Sequence, residues 1–317
     1  MKLLKPNFWN SVKIIFIPLY LLLLPFALAI QLINILRSIF TRPYKNKNIK
    51  IICVGNIFLG GTGKTPLSIE LCKLLNNEGK NVVIIKKKYK NQEDEVELIK
   101  SNKCNIIVEK KRSQGIKIAA KQNYDVAILD DGYQDYSIYK DLNIICFGQQ
   151  WIGNGLVIPA GPLRQSIRSL RNCEFVIINT LDGEINFKYE QIIKKVNKNV
   201  KIFYSFYEPN FEYLKKFKNE KLIAYAGIGN PNNFFDLLKK SGMNVVEKIS
   251  FPDHYIYSKK DIDKIINIGK EKNCKLITTE KDFFRLKKIS SDEINFLPIR
   301  LIIKEKEKFI DELKRVI

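Results

Sequence analysis

Imidazole chemistry has a single source in this chain, because His254 is the only histidine in 317 residues. Cysteine is scattered. Cys53, Cys72, Cys104, Cys146, Cys173 and Cys274 form no Cys-x-x-Cys pair and no close Cys/His cluster. That pattern excludes a disulfide scaffold or zinc centre and fits a reducing compartment. Acid is in short supply: 33 Asp and Glu stand against 54 Lys and Arg, a formal charge of +21. Such an excess points to an anionic partner, whether nucleic acid, an acidic membrane surface or a phosphorylated substrate. Lys, Ile and Asn are abundant throughout, so a solvated lysine coat accounts for part of the charge, and the charge alone chooses no partner. Nucleic-acid binding lacks its signs, interleaved aromatics and a recognisable fold signature, and no nucleic-acid partner is expected. There is no Asn-Lys-x-Asp stretch to read guanine, no repeat array, and no low-complexity segment beyond lysine-rich patches such as Lys86-Lys87-Lys88.

Charge is also missing from Ile14 to Leu36, a run long enough to cross a bilayer, for which about 20 apolar residues suffice. It carries Pro18, Pro25, Gln31 and Asn34, and Lys13, Arg37 and Arg42 flank it. No small-residue cleavage site follows it. A helix in the membrane interface, with its basic flanks on lipid phosphates, is the favoured reading. A true span and a removed or buried segment are the alternatives.

The remainder, 45% hydrophobic overall, alternates short apolar strands with helices, the mark of a parallel sheet covered on both faces. Strands are expected at 50–54, 82–85, 106–108, 125–129, 143–147 and 175–179, with helices at 66–77 and 113–122. The pattern restarts near residue 205, with strands at 222–226, 245–249, 276–279 and 297–303. Its helices fall at 231–240, 259–272 and 304–316. The expectation is an α/β chain: a membrane-associated helix in 1–45, a P-loop NTPase-like parallel sheet in 46–204, and a smaller α/β unit in 205–317 whose last helix is free to pack back on the first. Residues 93–97, Glu-Asp-Glu-Val-Glu, read as an irregular acidic loop.

The strongest motif is Gly60-Gly61-Thr62-Gly63-Lys64-Thr65-Pro66, between a strand and a helix. Glycines there turn backbone N–H groups onto phosphate oxygens, and the helix N-terminus adds positive potential. Lys64 would bridge the outer phosphates of ATP, and the Thr65 hydroxyl would ligate Mg²⁺. The strict pattern requires glycine where Phe58 stands. Asp125-Val126-Ala127-Ile128-Leu129-Asp130-Asp131 supplies the partner, an apolar strand ending in carboxylates that face the ion.

With these residues in place the chain resembles the tetraacyldisaccharide 4′-kinase family of lipid A biosynthesis. The resemblance runs from Val54-Gly55-Asn56 and the phosphate loop through Asp130-Asp131-Gly132-Tyr133-Gln134, Gly153-Asn154-Gly155 and Pro159-Ala160-Gly161-Pro162-Leu163-Arg164. It continues through Ala226-Gly227-Ile228-Gly229-Asn230-Pro231, Phe251-Pro252-Asp253-His254-Tyr255 and Thr278-Thr279-Glu280-Lys281-Asp282. It implies two α/β lobes with the site between them, a membrane-bound N-terminal helix, and transfer of the ATP γ-phosphate to a lipid disaccharide.

It also implies Asp94 as the base with His254 beside it, and Glu95 near Mg²⁺ with Thr65, Asp130 and Asp131. Lys87, Arg112, Gln134 and Arg164 would face the substrate. A cytosolic donor implies catalytic lobes on the cytoplasmic side of an inner membrane. A monomer is expected, with the oligomeric state left open. Two departures stand out: Lys86-Lys87-Lys88-Tyr89-Lys90 replaces the family's Ser-Arg-Gly-Tyr-Gly, and Asp135 replaces its histidine. A membrane-associated P-loop ATPase acting as a switch is the rival reading; it needs neither Asp94 nor His254.

Overall fold

The computed structural model describes residues 6–89, 92–253, 255–286 and 293–317. His254 therefore lies outside the described residues. The apolar run forms helix α1, Ile17–Phe40, entered through Pro18, where a missing N–H costs nothing. At 1.5 Å per residue its length is about 36 Å, enough for a bilayer core of about 30 Å. One stripe, Leu23, Ala27 and Ile30, packs on the protein core. Most of its remaining large apolar side chains face outward, among them Leu22, Phe26 and Leu32. The segment before it is pinned to the body: Trp9 Nε1 donates to Pro159 O at 3.0 Å and Asn154 N to Trp9 O at 2.8 Å.

The first unit alternates as the sequence indicates: β1 (Lys50–Gly55), α2 (Lys64–Asn77), β2 (Val82–Lys87), α3 (Glu93–Ser101), β3 (Asn105–Glu109), α4 (Arg112–Lys121), β4 (Val126–Asp130), β5 (Leu142–Phe147), β6 (Phe175–Asn179), α5 (Phe187–Val196) and β7 (Lys201–Pro209). The second contains α6 (Phe211–Leu214), β8 (Lys221–Ala226), α7 (Pro231–Lys240), β9 (Asn244–Ser250), α8 (Lys259–Glu271), β10 (Lys275–Thr279), α9 (Glu280–Leu286) and β11 (Ile294–Leu297). The chain then returns through β12 (Ile299–Ile303) and α10 (Lys306–Lys314).

The large sheet runs β12-β7-β6-β5-β1-β4-β2-β3, and the small one β11-β10-β8-β9. Among the described residues, the β12–β7 pairing is the only antiparallel one between the named strands. Val/Ile/Leu runs such as β4 are fully buried, as strands covered on both faces require. Because β1 lies between β4 and β5, the strand order reverses there, and the crevice at its carboxyl end is where open α/β sheets take ligands.

Three elements differ from the sequence reading. The acidic stretch is the first turn of α3, where Glu93, Asp94 and Glu95 complement the helix dipole while Leu98 and Ile99 are buried. The single strand expected at 297–303 is two, because Pro298 has no N–H with which to continue a ladder. β11 ends the small sheet and β12 joins the large one. The boundary expected at 204–205 falls inside β7, which pairs with β12 along Ser205–Pro209. The closing helix packs on the first unit, with Phe309 and Leu313 buried against Phe175 and Phe203.

Candidate functional site

The phosphate loop leaves β1 through Gly55 and enters α2 at Lys64. A Cβ on Gly55 would fall 2.4 Å from Tyr133 Cβ, so no larger residue fits. Gly63 has φ +90°, a conformation that glycine adopts at no steric cost. The fully buried Asn56 ties the loop together, its Nδ2 donating to Phe58 O, Gly60 O and Thr62 Oγ1 at 2.7, 3.2 and 3.0 Å. Phe58, at the position where the strict pattern has glycine, bridges to Leu163, while Leu59 N donates to Pro162 O and Arg164 N to Ile57 O. The Pro-Ala-Gly-Pro-Leu-Arg segment thus braces this edge of the loop.

Beside it, Thr65 Oγ1 donates to Asp130 Oδ2 at 2.9 Å. Lys64 Nζ lies 3.6 Å from Asp131 Oδ1, which Arg164 also meets at 3.2 Å. Burial works against the Asp131 carboxylate. The charges of Lys64, Arg164, Lys86 and Arg112 outweigh it and hold the group below its ordinary value. Arg112, nearly buried, donates to the Asp131 and Asp130 carbonyls at 2.7 and 3.3 Å, and pairs with Asp135 at 3.3 Å. Asp135 is therefore the partner of Arg112. Gln134 Nε2 donates to Asn56 O at 2.8 Å, supporting the loop from behind.

A cavity of about 1040 Å³ lies between the two units. Gly60 to Thr65, Lys87, Arg112, Asp130, Asp131 and Arg164 line it from the first unit; Gly229, Asn230, Asp253 and Lys281 line it from the second. Asp253 directly precedes His254. Glu95 also lines the cavity, whereas Asp94 is 4% exposed and lies off its wall.

Both acids are held at the junction of α3 with α9. Arg285 meets Asp94 Oδ2 through Nε at 2.9 Å and through a terminal nitrogen at 2.7 Å. It also donates to Gly227 O and Asp282 Oδ1. Glu95 takes Lys86 on one oxygen at 2.5 Å and Lys281 on the other at 2.8 Å. Burial disfavours the Glu95 carboxylate, but Lys281 and Lys86 outweigh it and hold the group well below its usual range.

The sequence reading brings Lys64, Thr65, Asp130, Asp131, Arg112, Arg164, Lys87 and Glu95 to one cavity, sets Gln134 behind it, and leaves Asp94 just off it. It missed Lys86, Lys281, Arg285 and Asn56. The four-residue spacing of Lys281 and Arg285 puts both on one face of a short helix, and that is the signal by which they could have been found. Glu280 was missed too; it lines the cavity, and burial pushes its carboxyl up to about 7.

Known proteins agree with this architecture. The family model described as LpxK, tetraacyldisaccharide-1-P 4′-kinase, matches residues 19–317. A tetraacyldisaccharide 4′-kinase of Pelagibacter ubique is 40% identical over 99% of this chain and 98% of its own. One from Rickettsia canadensis is 32% identical over 92% and 91%. Among solved structures, LpxK from Aquifex aeolicus in complex with ATP is similar, with a TM-score of 0.71 and 25% identity over 94% of this chain and 99% of that one. The chain belongs to the tetraacyldisaccharide-1-P 4′-kinase family.

Proposed function

We propose that this chain transfers the γ-phosphoryl group of ATP to the 4′-hydroxyl of a tetraacyldisaccharide 1-phosphate, at the cytoplasmic face of an inner membrane. The observation that carries the reading is the pairing of Lys64 with Asp131 and of Thr65 with Asp130, at the switch point of the large sheet and on the wall of a cavity closed by the second unit. The relatives' name supplies the acceptor, and the Aquifex protein's complex supplies the donor.

Thr65 and Asp130 suit Mg²⁺, since both offer hard oxygen and sit within 2.9 Å of each other at a buried helix start. Thr65 and Asp130 would hold a divalent ion there, which would supply positive charge to the transferring group. Lys64 holds the β- and γ-phosphates and shares that charge. The 4′-oxygen bonds to the γ-phosphorus while the bond from that phosphorus to the bridging oxygen breaks, and ADP leaves. The hydroxyl proton goes to Asp94. The resemblance gives His254 as the relay between that hydroxyl and Asp94, which lies off the cavity wall. Arg164, Lys87 and Arg112 meet the acceptor from the wall, with Gln134 supporting the loop behind them.

ADP release measured with and without the lipid acceptor tests this. Acceptor-dependent release is expected from the native chain, and Lys64→Ala is expected to lower kcat by about 10²–10³-fold. Equal release without acceptor would favour the switch ATPase instead.

The outward face of α1 supports membrane association, since this helix is long and apolar enough to enter a bilayer. Leu22 and Phe26 are 66% and 60% exposed. Replacing both by Asp costs about 3 kcal/mol of insertion each. Co-sedimentation with anionic vesicles is expected to fall to background, with Leu22→Ala as the mild control.

A further inference from the structure

Lys86 lies near the carboxyl end of β2, and its side chain is 5% exposed. Its ammonium lies 2.7 Å from Asp130 Oδ2 and 2.5 Å from Glu95 Oε2. Asp130 Oδ2 is the same oxygen that accepts from Thr65 Oγ1. The ammonium is thus held between two carboxylates, at ion-pair distance from both. Three of the four groups expected around Mg²⁺ thus converge on Lys86 or on its partner oxygen. Among the described residues, no group of three or more His, Cys, Asp or Glu is arranged to hold a metal ion.

Resting on the Mg²⁺–ATP reading above, we infer that Lys86 is a positioning residue. Its ammonium fills the gap between Asp130 and Glu95, turns Asp130 toward Thr65, and confines the divalent ion to the Thr65 side. A lysine does this because an ammonium is a compact point charge that satisfies two carboxylates at once, with no coordination shell to complete. Glu95 then acts as the lysine's anchor and not as a metal ligand: its second oxygen is held by Lys281 from the other unit. Serine at this position would leave two buried carboxylates facing each other across the space of a cation, and such a pair of hard oxygen donors draws Mg²⁺ or Mn²⁺.

The test is Mn²⁺ binding, followed by electron paramagnetic resonance, to the full chain with the non-hydrolysable analogue AMP-PCP. The native chain and Lys86→Arg are each expected to bind one Mn²⁺ per chain. Lys86→Ser is expected to bind two, and Lys86→Ser combined with Glu95→Gln to return to one. Lys86→Gln, which fills the volume without charge, carries the same expectation as Lys86→Ser if the smaller side chain prevents folding. A single Mn²⁺ of unchanged affinity in both uncharged variants overturns the inference, as does a second ion in the native chain. Absence of any nucleotide-dependent Mn²⁺ from the native chain is a separate outcome, which removes the Mg²⁺–ATP reading and this inference with it.

Discussion

Asp94→Asn is expected to lower kcat by about 10²–10⁴-fold, the range lost with a positioned proton acceptor, while the affinity for AMP-PCP stays within a few-fold. Asparagine keeps the shape of the side chain and an oxygen for Arg285, but it cannot take the proton of a sugar hydroxyl. Its neighbours on the same turn separate this role from general acidity. Glu93 is exposed at the helix start, and Glu93→Gln is expected to leave turnover near native. Glu95→Gln releases Lys86 and Lys281 from their shared carboxylate, so its effect falls on folding stability more than on the chemical step. Steady-state kinetics beside nucleotide titration make the comparison. Near-native kcat in Asp94→Asn would remove Asp94 as the base.

Arg285→Ala is expected to destabilise the fold by about 3–5 kcal/mol, the cost of withdrawing one partner from a buried ion pair. The guanidinium is 11% exposed, and it meets Asp94 and Asp282, whose carboxylates are 1% and 0% exposed. It also holds the Gly227 carbonyl at 2.7 Å, so one side chain joins α3 of the first unit to the β8 end of the second. Asp282 is fixed in turn by Gly227 N and by the Thr279 and Tyr257 hydroxyls, at 2.9, 2.7 and 3.1 Å. Removing Arg285 withdraws its charge from two buried carboxylates and loosens the seat of Asp94. Urea unfolding reads the loss. Arg285→Lys is expected to recover part of it, because charge survives while the planar fork does not. A variant as stable as the native chain would show that the junction carries no such load.

The layout of the first sheet was legible because each strand is a short continuous apolar run and each turn ends in a chemical group. Val126 to Leu129 cannot be a solvent-facing strand, and Asp130-Asp131 must emerge at its end, where Thr65 and Lys64 meet them. The helix α3 was hidden because it opens on three acids with only a short apolar face. Its acids are held by Lys281 and Arg285 of α9, a partner distant in sequence. The split at Pro298 was readable from proline chemistry, but the change of sheet was not, since only the antiparallel pairing with β7 reveals it. The position of Lys86 illustrates the limit for the site. In sequence it is one of three consecutive lysines, and only the fold shows that it alone of them is buried between two acids.

The central claim is phosphoryl transfer to a lipid disaccharide. It is tested most directly by incubating the native chain with [γ-³²P]ATP, Mg²⁺ and tetraacyldisaccharide 1-phosphate in detergent micelles and separating the lipids. A labelled bisphosphate lipid is expected, formed in proportion to the ADP released and lost with Lys64→Ala. ADP released without labelled lipid would contradict it.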